Sequence, residues 1–273
     1  MLKSYKNKQY FMKDHFDFLE KDEVMNNLMI GLLQKDYVVP DLLVAVTNKQ
    51  ERVLGMIAGK HMILAANTIN PTLYNELVIY MDTVDYPGII GPTQYSEVYK
   101  KMYSIHCNNT MNKLMSQRIY ACDRINHVSH ETGDFRLATI QDINTLIPWA
   151  YDFEVMIEGH ANIENITEML KKRILANILY VLVVNHEIVS MAQRTRPLAK
   201  TETVSLVYTP KDKRKKGYAS RVVELLTQEI LNDGKIATLY TDLSNPTSNK
   251  IYINIGYKPH CDSVVYKIDK SQT

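Results

Sequence analysis

The chain has 273 residues, 45% of them hydrophobic and 23% charged, with a formal net charge of only +2. That length predicts two domains with real apolar cores, and that composition excludes a disordered chain. A charge so close to zero excludes a broadly cationic surface of the kind that drives non-specific nucleic-acid binding, and no apolar run reaches the ~18 residues needed to cross a bilayer.

The first residues, MLKSYKNKQYFMKDHF, lack the apolar core and small-residue cleavage site of a secretory leader. The three cysteines, Cys107, Cys122 and Cys261, contain no Cys-x-x-Cys pair, which fits a reducing compartment. The expectation is a soluble, cytoplasmic protein without a membrane or nucleic-acid partner. His106, Cys107, Cys122, His127 and His130 match no established zinc spacing, so no metal is expected.

In chain order, a helix is predicted over residues 24–34, then strands over 42–47, 52–58 and 61–66. A helix over 72–81, a short strand at 88–90, a long helix from Gln94 and a strand at 118–122 complete the first half. The polar stretch RINHVSHETGD, residues 124–134, marks a domain boundary, giving domains 1–129 and 130–273. Beyond it, FRLAT reads as a strand, DINTLIPWAYDFEVM and ITEMLKKRILA as helices, and LYVLVV, EIVSMAQRTRP and TETVSLVYT as three strands. Ala219, Val222, Val223, Leu226 and Ile230 then share one helical face, and Gly234 stands where a C-terminal cap belongs. KIATLYTDL is a strand. Asn245-Pro246 opens a short helix that Gly256 closes, and SVVYKI is the last strand. The fold class is therefore α/β, an α+β arrangement on a mixed sheet, in two halves of similar order.

Between TETVSLVYT and the following helix lies VYTPKDKRKKGYAS, in which five of the six residues from Lys211 to Lys216 are basic. A strand, a basic loop ending in glycine, and a helix together aim the free amides of the first helical turn at one spot beyond the strand, which suits an anion of diphosphate size. Gly217 allows close backbone approach, Ala219 keeps the next contact small, and Arg214, Lys215 and Lys216 supply charge. Other phosphate loops are excluded: GMIAGKH has the wrong spacing for a P-loop, and no Gly-x-Gly-x-x-Gly occurs. A serine-hydrolase elbow is absent too.

The pattern Arg214-x-x-Gly217-x-Ala219, followed by NPTSNKIYINIGYKP at residues 245–259, resembles the GNAT superfamily of acyl-CoA-dependent N-acyltransferases. The likeness covers about half the chain, from near Phe135 to Lys267, and extends to two-domain predicted acetyltransferases and, more distantly, glycine N-acyltransferases. It implies a C-terminal GNAT fold whose fourth and fifth strands splay apart to admit the pantetheine of acetyl-CoA. It further implies that Val207, Tyr208 and Thr209 offer backbone groups to pantetheine. Arg214, Lys215, Lys216, Gly217, Tyr218, Ala219 and Ser220 would hold the diphosphate, with Asn245 and Asn249 in the second cofactor segment. The N-terminal half reads as a degenerate relative without that loop, since NTINPTLYNEL and GPTQYSEVYKK carry neither motif.

Acyl transfer to an amine needs a base for the ammonium proton and an acid for the departing thiolate. Tyr252 is the expected acid, because a phenol of pKa near 10 can protonate a thiolate of pKa about 8.5. Glu202, six residues before Tyr208 and so on the same face of a regular strand, matches the position of the superfamily's glutamate base. Glu154 and Glu158 are the alternatives. The expected activity is transfer of an acetyl group from acetyl-CoA to a small-molecule or peptide amine. The competing readings are a catalytically idle acyl-CoA-binding module and a nucleic-acid protein reading the basic loop, the latter disfavoured because no aromatic residues interleave with the charges.

Overall fold

The structure is a computed structural model, and it describes residues 1–107, 109–126 and 133–269. The first run of elements is β1 (Leu2–Ser4), α1 (Lys8–Leu19), α2 (Glu23–Leu33), β2 (Leu42–Asn48), β3 (Glu51–Ile57), β4 (Met62–Ala66), α3 (Pro71–Met81), β5 (Gly88–Pro92), α4 (Thr93–His106) and β6 (Thr110–Cys122). The second is β7 (Asp134–Leu137), α5 (Ile143–Glu158), α6 (Ile163–Leu175), β8 (Leu179–Val184), β9 (Glu187–Thr195), β10 (Thr201–Tyr208), α7 (Tyr218–Asn232), β11 (Ile236–Asp242), α8 (Pro246–Ile255) and β12 (Lys258–Asp269). The two runs repeat one order: a strand, two helices, three strands, then helix, strand, helix and strand.

Most of these elements follow from the sequence pattern. Helix α1 and the short β1 do not. The buried stripe of α1 is Phe11, His15, Phe18 and Leu19, and the histidine within it breaks the apolar period that would otherwise announce the helix. Strand β12 starts five residues before its apolar alternation, because its first three residues, Lys258, Pro259 and His260, are exposed.

The chain divides into two compact units, neither of them continuous. One comprises Met1–Tyr120, Tyr240–Pro246 and Pro259–Thr273, the other Ala121–Leu239 and Thr247–Lys258. The boundary expected at residues 129 and 130 falls outside the described residues. In the first unit the strands pair in the order β1-β2-β3-β4-β5-β12-β6. Strand β12, the last of the chain, lies antiparallel to β5 from Ser263–Pro92 to Lys267–Gly88. Its alternate residues Val264, Tyr266 and Ile268 enter a core with Val44, Val53, Leu64, Tyr74, Leu77 and Tyr99, as the two-residue period of a strand requires.

In the second unit the order is β11-β10-β9-β8-β7, antiparallel except for the β10–β11 pair. Leu146, Trp149 and Ala150 of α5 and Ile166, Leu170 and Ile174 of α6 pack onto Leu179, Val181, Met191, Leu206 and Tyr208 of the sheet. Helix α7 is anchored by Val222, Val223, Leu226 and Ile230, all fully buried. Helix α8 ends at Gly256, whose φ of +121° is open to glycine and where a Cβ would lie 2.5 Å from the Arg124 carbonyl oxygen. The Asn126 amide donates to the Ile255 carbonyl at 2.6 Å in the same place.

Gly256→Ala is expected to lower stability by about 2 kcal/mol, because it combines a strained φ with a backbone clash. Urea unfolding checks this; an unchanged midpoint would mean that residues 124–126 give way without cost.

Candidate functional site

The site begins with a lost pairing. Strands β10 and β11 run parallel and pair at Thr201–Ile236, Glu202–Ala237 and Thr203–Thr238 only. From Val204 to its end, β10 keeps β9 as its neighbour, and among the described residues it has no ladder partner on the β11 side. On the β9 side the register shifts between Ser205 and Tyr208, and Leu206 takes a φ of +48°. This is a β-bulge, which adds a residue to one strand and turns the side chains that follow. Its unpaired edge leaves main-chain amides and carbonyls available to an extended ligand.

The strand end is tied down by its own neighbours. Ser190 Oγ donates to the Tyr208 carbonyl at 3.0 Å, and the Thr209 hydroxyl donates to Ser190 Oγ at 2.9 Å. Arg214 Nε donates to the Thr209 carbonyl at 2.9 Å, and its guanidinium carbon lies 5.8 Å from the centre of the Tyr208 ring. The carbonyls of Tyr208 and Thr209, two of the residues expected to offer backbone groups to a ligand, therefore already accept side-chain hydrogen bonds.

The basic loop then turns sharply. Residues Lys211–Lys213 form a single 3₁₀ turn, Lys215 takes a left-handed φ of +63°, and Gly217 one of +76°. A lysine in that region is strained, and such strain gathers at binding sites. Lys213 pairs with Glu187 of β9 at 2.6 Å, while Arg214, Lys215, Lys216 and Gly217 are exposed. Helix α7 starts at Tyr218 with Gly217 as its cap, no side chain bonded to its first amides and no acidic residue in its first turn. Tyr218, Ala219 and Ser220 are half-buried there. This combination of an uncapped helix start and three cations fits a diphosphate.

Helix α8 carries the second expected segment. Asn245 is exposed directly before it, and Asn249 is half-buried within it. Tyr252 is 8% exposed and packs edge-on against Tyr257 at 6.0 Å; its hydroxyl has no hydrogen-bond partner among the described residues. Burial pushes this phenol up to about 12, so it stays protonated at neutral pH. Tyr257 in turn bonds Thr227 of α7 at 2.6 Å, which fixes α8 against α7.

Glu202 stands elsewhere in the site. It is 4% exposed, and both carboxylate oxygens accept from Arg194 of β9, at 2.9 Å from Nε and 2.7 Å from the terminal amino group. Lys235 lies 3.7 Å away, and Arg194 also holds Asp233 at the end of α7. Six residues of strand separate Glu202 from Tyr208, about 20 Å at ~3.3 Å each, and the bulge at Leu206 cancels the even spacing that would have put them on one face. Glu202 is thus held in a buried ion pair, and the regular strand on which its expected place was argued is interrupted. Glu154 is half-buried on α5, and its charge acts on Arg173 of α6, itself half-buried. The side chain of Glu158 lies outside the described set.

One further contact joins the end of β10 to α5. The Tyr208 hydroxyl donates to Asp152 Oδ2 of α5 at 2.7 Å, and the Tyr208 ring lies 6.1 Å from that of Trp149, one helical turn earlier. The only sequence signal was the Trp149-x-x-Asp152 spacing, which places both on one helix face.

The corresponding place in the first unit is built differently. Strands β4 and β5 also pair at two positions only, Met62–Ile89 and Ile63–Ile90. Residues of α2, among them Met25, Asn26 and Met29, close over them and leave a cavity of about 20 Å³, roughly the room of one water. Helix α3 is capped by the Asn70 side chain, and the Glu51 carboxylate accepts from Thr68 at 2.6 Å and from Asn70 at 2.9 Å. A carboxylate thus sits beside the helix start where the second unit offers cations.

Among the described residues, no group of three or more His, Cys, Asp or Glu side chains is arranged to hold a metal ion; His127 and His130 lie outside them. No described helix is long and apolar enough to cross a membrane.

Residues 180–265 match the family of FR47-like proteins. The sequence matches no curated protein. Among solved structures, a GNAT-family acetyltransferase from Colwellia psychrerythraea shares 10% identity with a TM-score of 0.66, the match covering 99% of this chain and 100% of that one. A Drosophila protein shares 10% identity with a TM-score of 0.65 over 98% of each chain. A GCN5-related N-acetyltransferase from Kribbella flavida shares 12% identity with a TM-score of 0.60 over 91% and 95%. The chain has a GNAT-like fold, in two GNAT-like repeats on mixed sheets.

Glu202→Gln is expected to cost about 3 kcal/mol of stability, because it leaves the Arg194 charge without its buried partner. Chemical denaturation reads this directly. A fully stable variant would return Glu202 to the list of available bases.

Proposed function

We propose that the protein is an acyl-CoA-dependent N-acyltransferase that moves an acetyl group from acetyl-CoA to an amine by direct attack. The observation that carries this reading is the continuity of three features in the second unit: the unpaired edge of β10 beyond Thr203, the Arg214, Lys215 and Lys216 cations, and the uncapped start of α7 at Gly217. The FR47-like match over residues 180–265 spans all three.

The acetyl-CoA thioester supplies the activated carbonyl. In this reading the amides of Tyr218, Ala219 and Ser220 receive the diphosphate, with Arg214, Lys215 and Lys216 neutralising it. Val207, Tyr208 and Thr209 offer main-chain groups to the pantetheine amides, and Asn245 and Asn249 supply polar contacts from the second segment. Tyr252 donates a proton to the departing thiolate. The Glu51 carboxylate and the Asn70 cap in the first unit oppose a second diphosphate, so one cofactor per chain is proposed.

Saturating acetyl-CoA at 100 times its Kd is expected to stabilise the native state by about 2.7 kcal/mol, read as a rise in Tm. Gly217→Glu, which puts bulk and negative charge at the helix start, is expected to abolish that rise. No rise in the wild type would refute the cofactor assignment. Tyr252→Phe keeps the ring and removes the proton; with a panel of amine acceptors, turnover is expected to fall about 10²–10⁴-fold with acetyl-CoA affinity little changed. Binding of acetyl-CoA without turnover of any amine would favour an idle acyl-CoA-binding module instead.

A further inference from the structure

We propose that Asp152, positioned by Tyr208, is the group that takes the proton from the acceptor amine, an inference that rests on the acyl-transfer reading above. Tyr208 is the last residue of β10, on the stretch beyond the bulge that among the described residues has no ladder partner on the β11 side, and it directly precedes the segment leading to Arg214. Its ring is 5% exposed and fixed by Trp149 and the surrounding core. The Asp152 carboxylate is exposed, yet it is held at 2.7 Å by that immobile hydroxyl. Oδ2 accepts the Tyr208 bond, and Oδ1 has no hydrogen-bond partner among the described residues. A charged, accessible carboxylate is thus fixed at the end of the strand proposed to carry the thioester.

The other acids on these elements are differently placed. Both Glu202 oxygens are bound by Arg194, and the Glu154 charge acts on Arg173. The charged groups that act on the Tyr208 phenol are Asp152 of α5 and Arg214 of the loop. Burial, and then the Asp152 bond, raise the Tyr208 phenol to about 12. The phenol therefore remains a donor, and the carboxylate is the member of the pair able to accept a proton.

An acceptor arrives largely as an ammonium ion, which an exposed carboxylate attracts. Asp152 first takes one ammonium proton and releases it to solvent, which frees the nitrogen lone pair; that lone pair then forms the new N–C bond as the C–S bond breaks. The N–H proton passes to Asp152, and the thiolate takes the Tyr252 proton. Asp152 then releases its proton to solvent and Tyr252 regains one, so amine and thioester become amide and thiol with no other reactant.

Asp152→Asn keeps an acceptor for Tyr208 and removes the basicity. Its kcat/KM for the amine is expected to fall about 100-fold at neutral pH, with the deficit narrowing as pH approaches the pKa of the amine. Acetyl-CoA affinity by calorimetry should match wild type, and Asp152→Glu should restore part of the rate. Should wild type bind acetyl-CoA and acetylate the amine while Asp152→Asn equals it at every pH, this inference is overturned and the acyl-transfer reading stands. A wild type that does not bind acetyl-CoA overturns both.

Discussion

The structure of the second unit turns on a strand that stops pairing. Strand β10 shares three residue pairs with β11 and then continues alone on that side, with Leu206 in a left-handed conformation that costs roughly 1 kcal/mol or more for a residue with a Cβ. Main-chain groups deprived of a ladder need other partners. At the strand end two carbonyls find them in Ser190 and Arg214, and in doing so bring the basic loop back against Tyr208. The same bulge turns Tyr208 into the α5–α6 core. The placement of the cations, of the α7 start and of Asp152 all depend on that one irregularity.

The two repeats show how little of a fold decides its chemistry. Both contain a parallel strand pair that opens after two or three residues, and both follow it with a helix. In one, the helix start is uncapped and bordered by Arg214, Lys215 and Lys216. In the other, Asn70 caps the helix and Glu51 supplies a negative charge at the loop. Changing a few side chains at one helix terminus reverses the sign of the field an anion would meet.

Much of the site could be read from the sequence because its parts are local. Arg214, Gly217 and Ala219 lie within six residues, and their spacing implies an anion at a helix start without reference to anything distant. Asn245-Pro246 and Gly256 bracket α8 by capping and turn chemistry alone. The placement of Glu202 on the Tyr208 face assumed a regular strand, and a single left-handed leucine, which no propensity rule anticipates, broke the alternation. The first residues of β12 were missed because Lys258, Pro259 and His260 carry no apolar signal.

By itself the sequence determined the order of elements from α2 onward, the basic loop and its glycine, and the helix that carries Tyr252, since each rests on spacing within a few residues. Only the tertiary structure decided how Glu202 and Asp152 are partnered and which strand completes which core. Asp152 meets Tyr208 across 56 residues of chain, and Ser263 of β12 bonds Gly91 of β5 across 172. Glu202 is paired with Arg194 of a neighbouring strand. Such pairings arise from how helices and strands pack once formed, where burial and charge neutralisation act between residues whose separation along the chain carries no information about their meeting.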